Sequence, residues 1–237
     1  MSTNTNIERA VRYTGDDWAQ SMSRRLAIPM LVMGVMTVAG ALAVGAVAGV
    51  NFGDFFGGSA AADLGRGEAL VQLSGAIAFL GMGLILAGVV MSLVNIVRTL
   101  RDAGRGVQQA VGADAYQLAK PWSGRFTPWV MIMGLMIEMA AFGLGIFAAT
   151  SIGGVDPAAI ANGANARSGD LADIGVTRAF SAWLPGLRLF GIAVLLVGVI
   201  LVLTTIRSVL RFQAQRVDEL AADGRVTEQP LAPVAVS

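Results

Sequence analysis

Cysteine and histidine are both absent from this 237-residue chain, and of its 17 basic residues a single one, Lys120, is lysine. Without cysteine there is neither a disulfide framework nor a thiol nucleophile. Without cysteine or histidine the usual zinc, copper and haem ligand sets cannot be assembled. The ordinary imidazole proton acceptor is missing too. Charge is scarce: Asp, Glu, Lys and Arg make up 14% of the residues, against about 25% in soluble domains. A formal net charge of +1 supplies no basic face for nucleic acid. There is no Gly-Lys-Ser/Thr phosphate loop, no pair of aspartates within an apolar run and no nucleophile beside a base. No enzyme is expected, and no cofactor or metal. The preference for arginine over lysine, with abundant Ala, Gly and Val, matches a GC-rich bacterial genome.

What the chain has in quantity is apolar sequence, at 55% of residues. Crossing a bilayer core takes about 20 mostly apolar residues in a helix. Four such runs occur, roughly Leu26 to Val50, Ala69 to Val97, Thr127 to Ile152 and Gly186 to Ile206. The segments Asn51 to Glu68 and Gly153 to Pro185 hold few arginines (Arg66, Arg167, Arg178) and more acids, and the second makes an unusually long connector. Arginine concentrates elsewhere: Arg9, Arg12, Arg24 and Arg25 at the start, Arg98, Arg101, Arg105 and Arg125 with Lys120 in the centre, and Arg207, Arg211, Arg216 and Arg225 at the end. By the positive-inside rule these segments and both termini face the cytoplasm, and Trp18, Trp122, Trp129 and Trp183 fall near span borders as an interfacial belt. Ser23-Arg24-Arg25 followed by an apolar run also has the form of a twin-arginine export signal, with Ala46-Val47-Ala48 as its cleavage site. The run is too long for a signal core, and the first span is a copy of the third.

That copy is visible at an offset of 100 residues. Met33-Gly34-Val35-Met36 aligns with Met133-Gly134-Leu135-Met136, Ala41 with Ala141 and Gly45 with Gly145. The second and fourth spans end alike, in Val97-Arg98-Thr99-Leu100 and Ile206-Arg207-Ser208-Val209. The expected fold is therefore all-α: a polytopic membrane protein of four transmembrane helices in two tandem hairpins, related by a parallel pseudo-twofold along the membrane normal. Apolar positions that continue past the second and fourth spans (Leu100, Val107, Val111; Leu210, Val217, Leu220) predict cytoplasmic helix extensions ending near Gly112 and Gly224. The chain divides into an interfacial N-terminal segment 1–25, a first repeat 26–112, a linker 113–126, a second repeat 127–224 and a disordered tail 225–237. Asp16 and Asp17 are placed to cap a short helix leading to the first arginine pair.

On a helical wheel Gly34, Val38, Ala41, Gly45 and Gly49 form one stripe of the first span, and Gly134, Glu138, Ala141, Gly145 and Ala149 form its counterpart in the third. Small residues at such spacing let helix backbones approach closely. The stripes predict a packing seam between the two repeats or between protomers. Glu138 is the one acid deep inside a predicted span, where its sister is Val38. An ionised carboxylate there costs about 3 kcal/mol or more, so it has to be neutral, paired or hydrated. At matching depth the other spans offer Met82, Gly83, Val197 and Gly198, and Arg188 is expected near the outer end, out of reach. Glu138 is thus a candidate proton or ion site, or an interhelix hydrogen-bond site. The methionines at Met30, Met33, Met36 and Met133, Met136, Met139 read as flexible core packing rather than as thioether ligands for Cu(I).

Two functions follow as expectations. One is a non-catalytic structural, accessory or assembly subunit of a membrane complex or homo-oligomer, in a bacterial inner membrane, with the bilayer, further copies of itself or other membrane subunits as partners. The other is a small channel or proton-coupled transporter using Glu138.

Overall fold

Four helices too long to be confined to a bilayer core make up nearly all of the computed structural model, which describes residues 10–12, 18–58, 64–114, 116–155, 160 and 168–222. They are α1 (Trp18–Phe56, 39 residues), α2 (Leu64–Ala110, 47 residues), α3 (Trp122–Gly153, 32 residues) and α4 (Ser168–Ala222, 55 residues). Each contains a window long and apolar enough to cross a membrane. At about 1.5 Å per residue even α3 exceeds the roughly 30 Å of a hydrocarbon core.

The apolar runs define the middles of these helices and not their ends, since charged and small residues prolong the helix wherever no turn residue stops it. α2 thus runs on through Arg98, Arg101 and Arg105 until Gly112 adopts a φ of 67°. There the amides of Gly112 and Ala113 close back on the carbonyls of Gln109 and Gln108, the left-handed stop that glycine makes cheaply. On the acidic side α1 continues to Phe56 and α4 begins at Ser168, so the long second connector expected to reach Pro185 is largely helix. Pro185 lies inside α4, as Pro29 does in α1 and Pro128 in α3. The proposed stop at Gly224 and the tail 225–237 lie outside the described residues, as do Asp16 and Asp17.

One element has no precedent in the sequence pattern. A two-stranded antiparallel ribbon joins β1 (Ala10–Arg12) to β2 (Tyr116–Leu118), with Ala10 opposite Leu118 and Arg12 opposite Tyr116. β1 falls in the segment expected to be an interfacial N-terminal one and β2 in the segment expected to be a linker. Gln108 of α2 holds it: this buried amide accepts from the Tyr116 N–H at 2.9 Å and donates to the Tyr116 carbonyl at 3.0 Å, as a strand neighbour would.

The bundle pairs α1 with α2 and α3 with α4, and joins the pairs through α2, which also packs on α3 and α4. Contacts descend along one partner as they ascend along the other between α1 and α2 (Leu31 at Gly88, Gly34 at Gly81, Gly45 at Ser74). Between α3 and α4 they do the same (Gly124 at Thr205, Gly134 at Leu195, Gly145 at Arg188). Both pairs are antiparallel, while α2 and α4 run the same way, as Gln72 at Ser181 and Gly104 at Gln213 require. Val90 and Val97 of α2 interdigitate with Val202 and Val209 of α4 in the main apolar core. Around that core small residues line the closest helix contacts and many large apolar side chains face outward, the distribution suited to lipid rather than water. The methionines follow it: Met33, Met36, Met133, Met136 and Met139 are all exposed on outward faces. Expected as core packing together with Met30, which is half-buried, these five lie on the outward surface, because the stripe opposite them is the one the helices bury. Trp122, Trp129 and Trp183 also point outward; the side chain of Trp18 is outside the described set.

Candidate functional site

α3 carries Glu138 near its midpoint, on the face shared with Gly134, Ala141 and Gly145, and all four are buried. Glu138 itself is 1% exposed. Two glycines accommodate it. A methyl group on Gly83 of α2 would stand 3.0 Å from its Cγ, and one on Gly191 of α4 would stand 2.5 Å from its Oε1. The carboxylate is thus enclosed where α2, α3 and α4 meet.

Its neighbour is Arg188, three residues before Gly191 on α4 and therefore about 4.5 Å along the axis. Arg188 is 5% exposed. Its guanidinium lies between Gly75 of α2 and Gly145 of α3, whose added methyls would stand 3.1 Å from Nη1 and 2.8 Å from Nη2, and its Cζ is 5.6 Å from the Phe79 ring centroid. The two charges act on one another electrostatically. They form no direct hydrogen bond: among the described residues, both Glu138 oxygens and the Nε and Nη2 of Arg188 are buried without a hydrogen-bond partner. Opposite charges buried near one another without a hydrogen bond between them form a compensated, unsatisfied pair, an arrangement sensitive to the loss of either member.

Arg188 corrects the expectation that Glu138 has no basic neighbour. Reading the fourth span as starting at Gly186 places Arg188 at the membrane border; with α4 starting at Ser168 it is already 20 residues into the helix. A sequence signal for it exists in a comparison at an offset of 110. This aligns Gly81 with Gly191, Leu86 with Leu196, Gly88 with Gly198 and Val89 with Val199, and sets Arg188 opposite Ala78. Both members of the charged pair thus have apolar sisters, Val38 and Ala78.

The polar groups around the pair are unevenly distributed. Toward the acidic connectors, Gln72 donates to Ser181 across α2 and α4 at 2.7 Å, Ser74 donates to the Ala41 carbonyl at 2.9 Å and Ser181 to the Thr177 carbonyl at 2.8 Å. Toward the arginine-bearing end the valine core intervenes before the next buried polar contact, Ser123 with Thr205 at 2.8 Å.

The small-residue stripes divide. Gly34 abuts Ile85 and Gly81, Gly45 abuts Ser74, and the Ala41 carbonyl receives the Ser74 hydroxyl, all on α2. This stripe lies inside the α1–α2 pair and not between the repeats, because α1 sits at the edge of the bundle. Gly49 has nothing within 4 Å of an added methyl and is exposed. Gly134 meets Leu195 of α4, Gly145 meets Ala76 of α2 as well as Arg188, and Ala141 and Ala149 are buried. The α3 stripe therefore does join the two pairs. Comparison with protein-family models, with curated proteins and with solved structures finds no match to this chain.

Proposed function

We propose that this chain is a non-catalytic multi-pass protein of a bacterial cytoplasmic membrane, acting as a structural or assembly subunit that associates through α1 with a further copy of itself or with another membrane subunit. The observation that carries the reading is a second small-residue face on α1. Opposite the stripe that packs on α2, residues Ala39, Ala43, Ala46 and Gly53 share one side of the helix with Val50, and all are exposed. Small residues facing lipid gain nothing in packing, whereas facing another helix they permit close backbone approach.

In this reading the chain is a duplicated hairpin with its arginine-rich ends, both termini and the prolongations of α2 and α4 in the cytoplasm. Contact equivalence supports the duplication: Gly81 meets Val38 as Gly191 meets Glu138, and Ile85 meets Gly34 as Leu195 meets Gly134.

With no native cysteine, Ala43→Cys is a clean probe. The expected result is a disulfide-linked dimer on mild oxidation in membranes if the partner is a second copy, and an intact-particle mass containing another chain if it is not. Ala46→Leu is expected to lower the associated fraction at least about fivefold, because a leucine that lipid would tolerate obstructs an approaching backbone. A monomeric mass unchanged by Ala46→Leu would remove the proposal.

The Glu138–Arg188 pair favours a second reading, a small proton-coupled channel or transporter, since ionisable groups inside a bundle commonly mark ion and proton paths. Its expected signature is proton flux into liposomes containing the purified protein, reduced at least about tenfold by Glu138→Gln. Absence of flux from the unmodified protein counts against it.

A further inference from the structure

We propose that a short chain of bound water joins the Glu138 carboxylate to the Arg188 guanidinium, and that this water enters from the side of the acidic connectors only. Among the described residues, nothing meets the hydrogen-bonding capacity of both Glu138 oxygens or of Nε and Nη2 of Arg188. A carboxylate accepts at both oxygens and a guanidinium donates from all three nitrogens, so leaving them dry and unpaired is costly. A buried water molecule makes about three hydrogen bonds to groups of this kind. The spacing suits water rather than direct contact. Oε1 of Glu138 lies at Gly191, while Nη2 of Arg188 lies at Gly145, whose level on the α3 axis is about 10 Å from that of Glu138. Between those levels the buried residue of α3 is Ala141, a single methyl group. Such a gap is too wide for a hydrogen bond and is spanned by a few water molecules in sequence.

The two sides of the pair differ. From Arg98 the α2 axis advances about 34 Å to Gly75 and about 39 Å to Gln72, against roughly 30 Å for a hydrocarbon core. With Arg98 at one border of the core, the guanidinium beside Gly75 is therefore at the opposite border, and Gln72 is beyond it. Gln72 is half-buried and donates to the exposed Ser181, so this polar link opens to the surroundings one turn from the guanidinium. The apolar cluster of Ile152, Val155 and Ile174 lies farther out and leaves Ser181 exposed. In the other direction, Ala87 and Val90 of α2 and Leu195 of α4 are fully buried, and Leu195 closes on Gly134 of α3. That layer has no polar side chain to carry water onward, so the chain of water ends at Glu138. The inference requires that the bundle spans a bilayer and rests on neither function proposed above.

Leu184 and Leu195 are matched reporters: they share one face of α4, are 1% and 0% exposed, and have the same intrinsic reactivity toward hydroxyl radical. Leu184 is one turn before Arg188, on the side toward which the arginine side chain leans, and Leu195 is one turn past Gly191. The test is X-ray hydroxyl-radical footprinting of the full-length protein in lipid nanodiscs, in which radicals form from bound water and the products are located by mass spectrometry. Leu184 is expected to oxidise at least about tenfold faster than Leu195, whereas burial alone would make them equal. With Glu138→Val and Arg188→Met combined, no charge remains to hold water, and Leu184 should fall to within about twofold of Leu195. Equal rates in the unmodified protein would overturn the proposal, as would fast oxidation of Leu184 that survives in the double variant. Should that variant not fold, mixing with heavy-oxygen water before the pulse decides. Gln72→Leu removes the polar entrance and should slow entry of the heavy isotope into the Leu184 product at least about tenfold; unchanged entry overturns the one-sided route.

Discussion

Alanine at Gly34 is expected to push α1 away from α2 and to lower stability by about 1–3 kcal/mol, the usual cost of overpacking. The added methyl would sit 2.7 Å from Cγ1 of Ile85, 2.8 Å from the Ile85 backbone nitrogen and 2.9 Å from the Gly81 carbonyl oxygen. Two of these three atoms are backbone of a long helix, and the third belongs to a β-branched side chain with few rotamers open to it. None can yield alone, so α1 as a whole must move. Gly81→Ala strikes the same contact from the other side, 2.8 Å from Cγ2 of Val38 and 2.9 Å from its backbone nitrogen. The two substitutions should be less than additive, since a helix displaced by one no longer meets the other. Gly134→Ala should cost less, because its two nearest atoms, at 2.7 Å, are side-chain atoms of Leu195 and the nearest backbone atom is 3.3 Å away. Gly49→Ala, facing open space, should stabilise by up to about 1 kcal/mol through helix propensity alone. Unfolding of the four variants in mixed detergent micelles orders them, and equal effects at Gly34 and Gly49 would refute the close α1–α2 approach.

That ordering separates what hydropathy reveals from what only packing reveals. The four apolar runs identify four helices because burial of backbone polar groups in lipid leaves a long helix little alternative. The continuation of α2 through Arg98, Arg101 and Arg105 to a stop at Gly112 was legible from the apolar positions Leu100, Val107 and Val111, and arginine, a good helix former, does not oppose it. Taking Pro185 as a boundary was wrong, because α4 already runs from Ser168 and carries Pro185 inside it. The stripe of Gly34, Ala41 and Gly45 was legible as a face; its partner was not, because helical periodicity says which side is small and nothing about which neighbour lies there. Glu138 stood out as a lone acid, whereas Arg188 was invisible as its companion until the register of α3 on α4 brought Gly191 to the carboxylate. The ribbon of β1 and β2 has three residues per strand, paired across about a hundred positions of chain, too short to leave a periodic signature.

The register of α3 on α4 leads to the second large effect. Glu138→Val alone, or Arg188→Met alone, is expected to destabilise the protein by about 3–5 kcal/mol, because each leaves one buried charge uncompensated among apolar helices. Among the described residues, neither Glu138 oxygen nor the Nε and Nη2 of Arg188 has a hydrogen bond to fall back on. The double variant should return to within about 1 kcal/mol of the unmodified chain, since removing both charges removes both desolvation penalties together with the attraction that offset them. The first hairpin already shows that the surrounding geometry tolerates this: with Val38 and Ala78 at the corresponding positions, Gly81 still closes on α1 as Gly191 does on α3. A methionine at 188 keeps the volume between Gly75 and Gly145 filled, so a cavity term does not confound the comparison. The coupling energy from the four proteins is the measurement, taken from unfolding in mixed micelles. Strictly additive single losses would mean that the two groups do not compensate one another. Recovery in the double variant would mean that the fold has no need of the pair, and that its presence in one hairpin and not the other has to be sought in function.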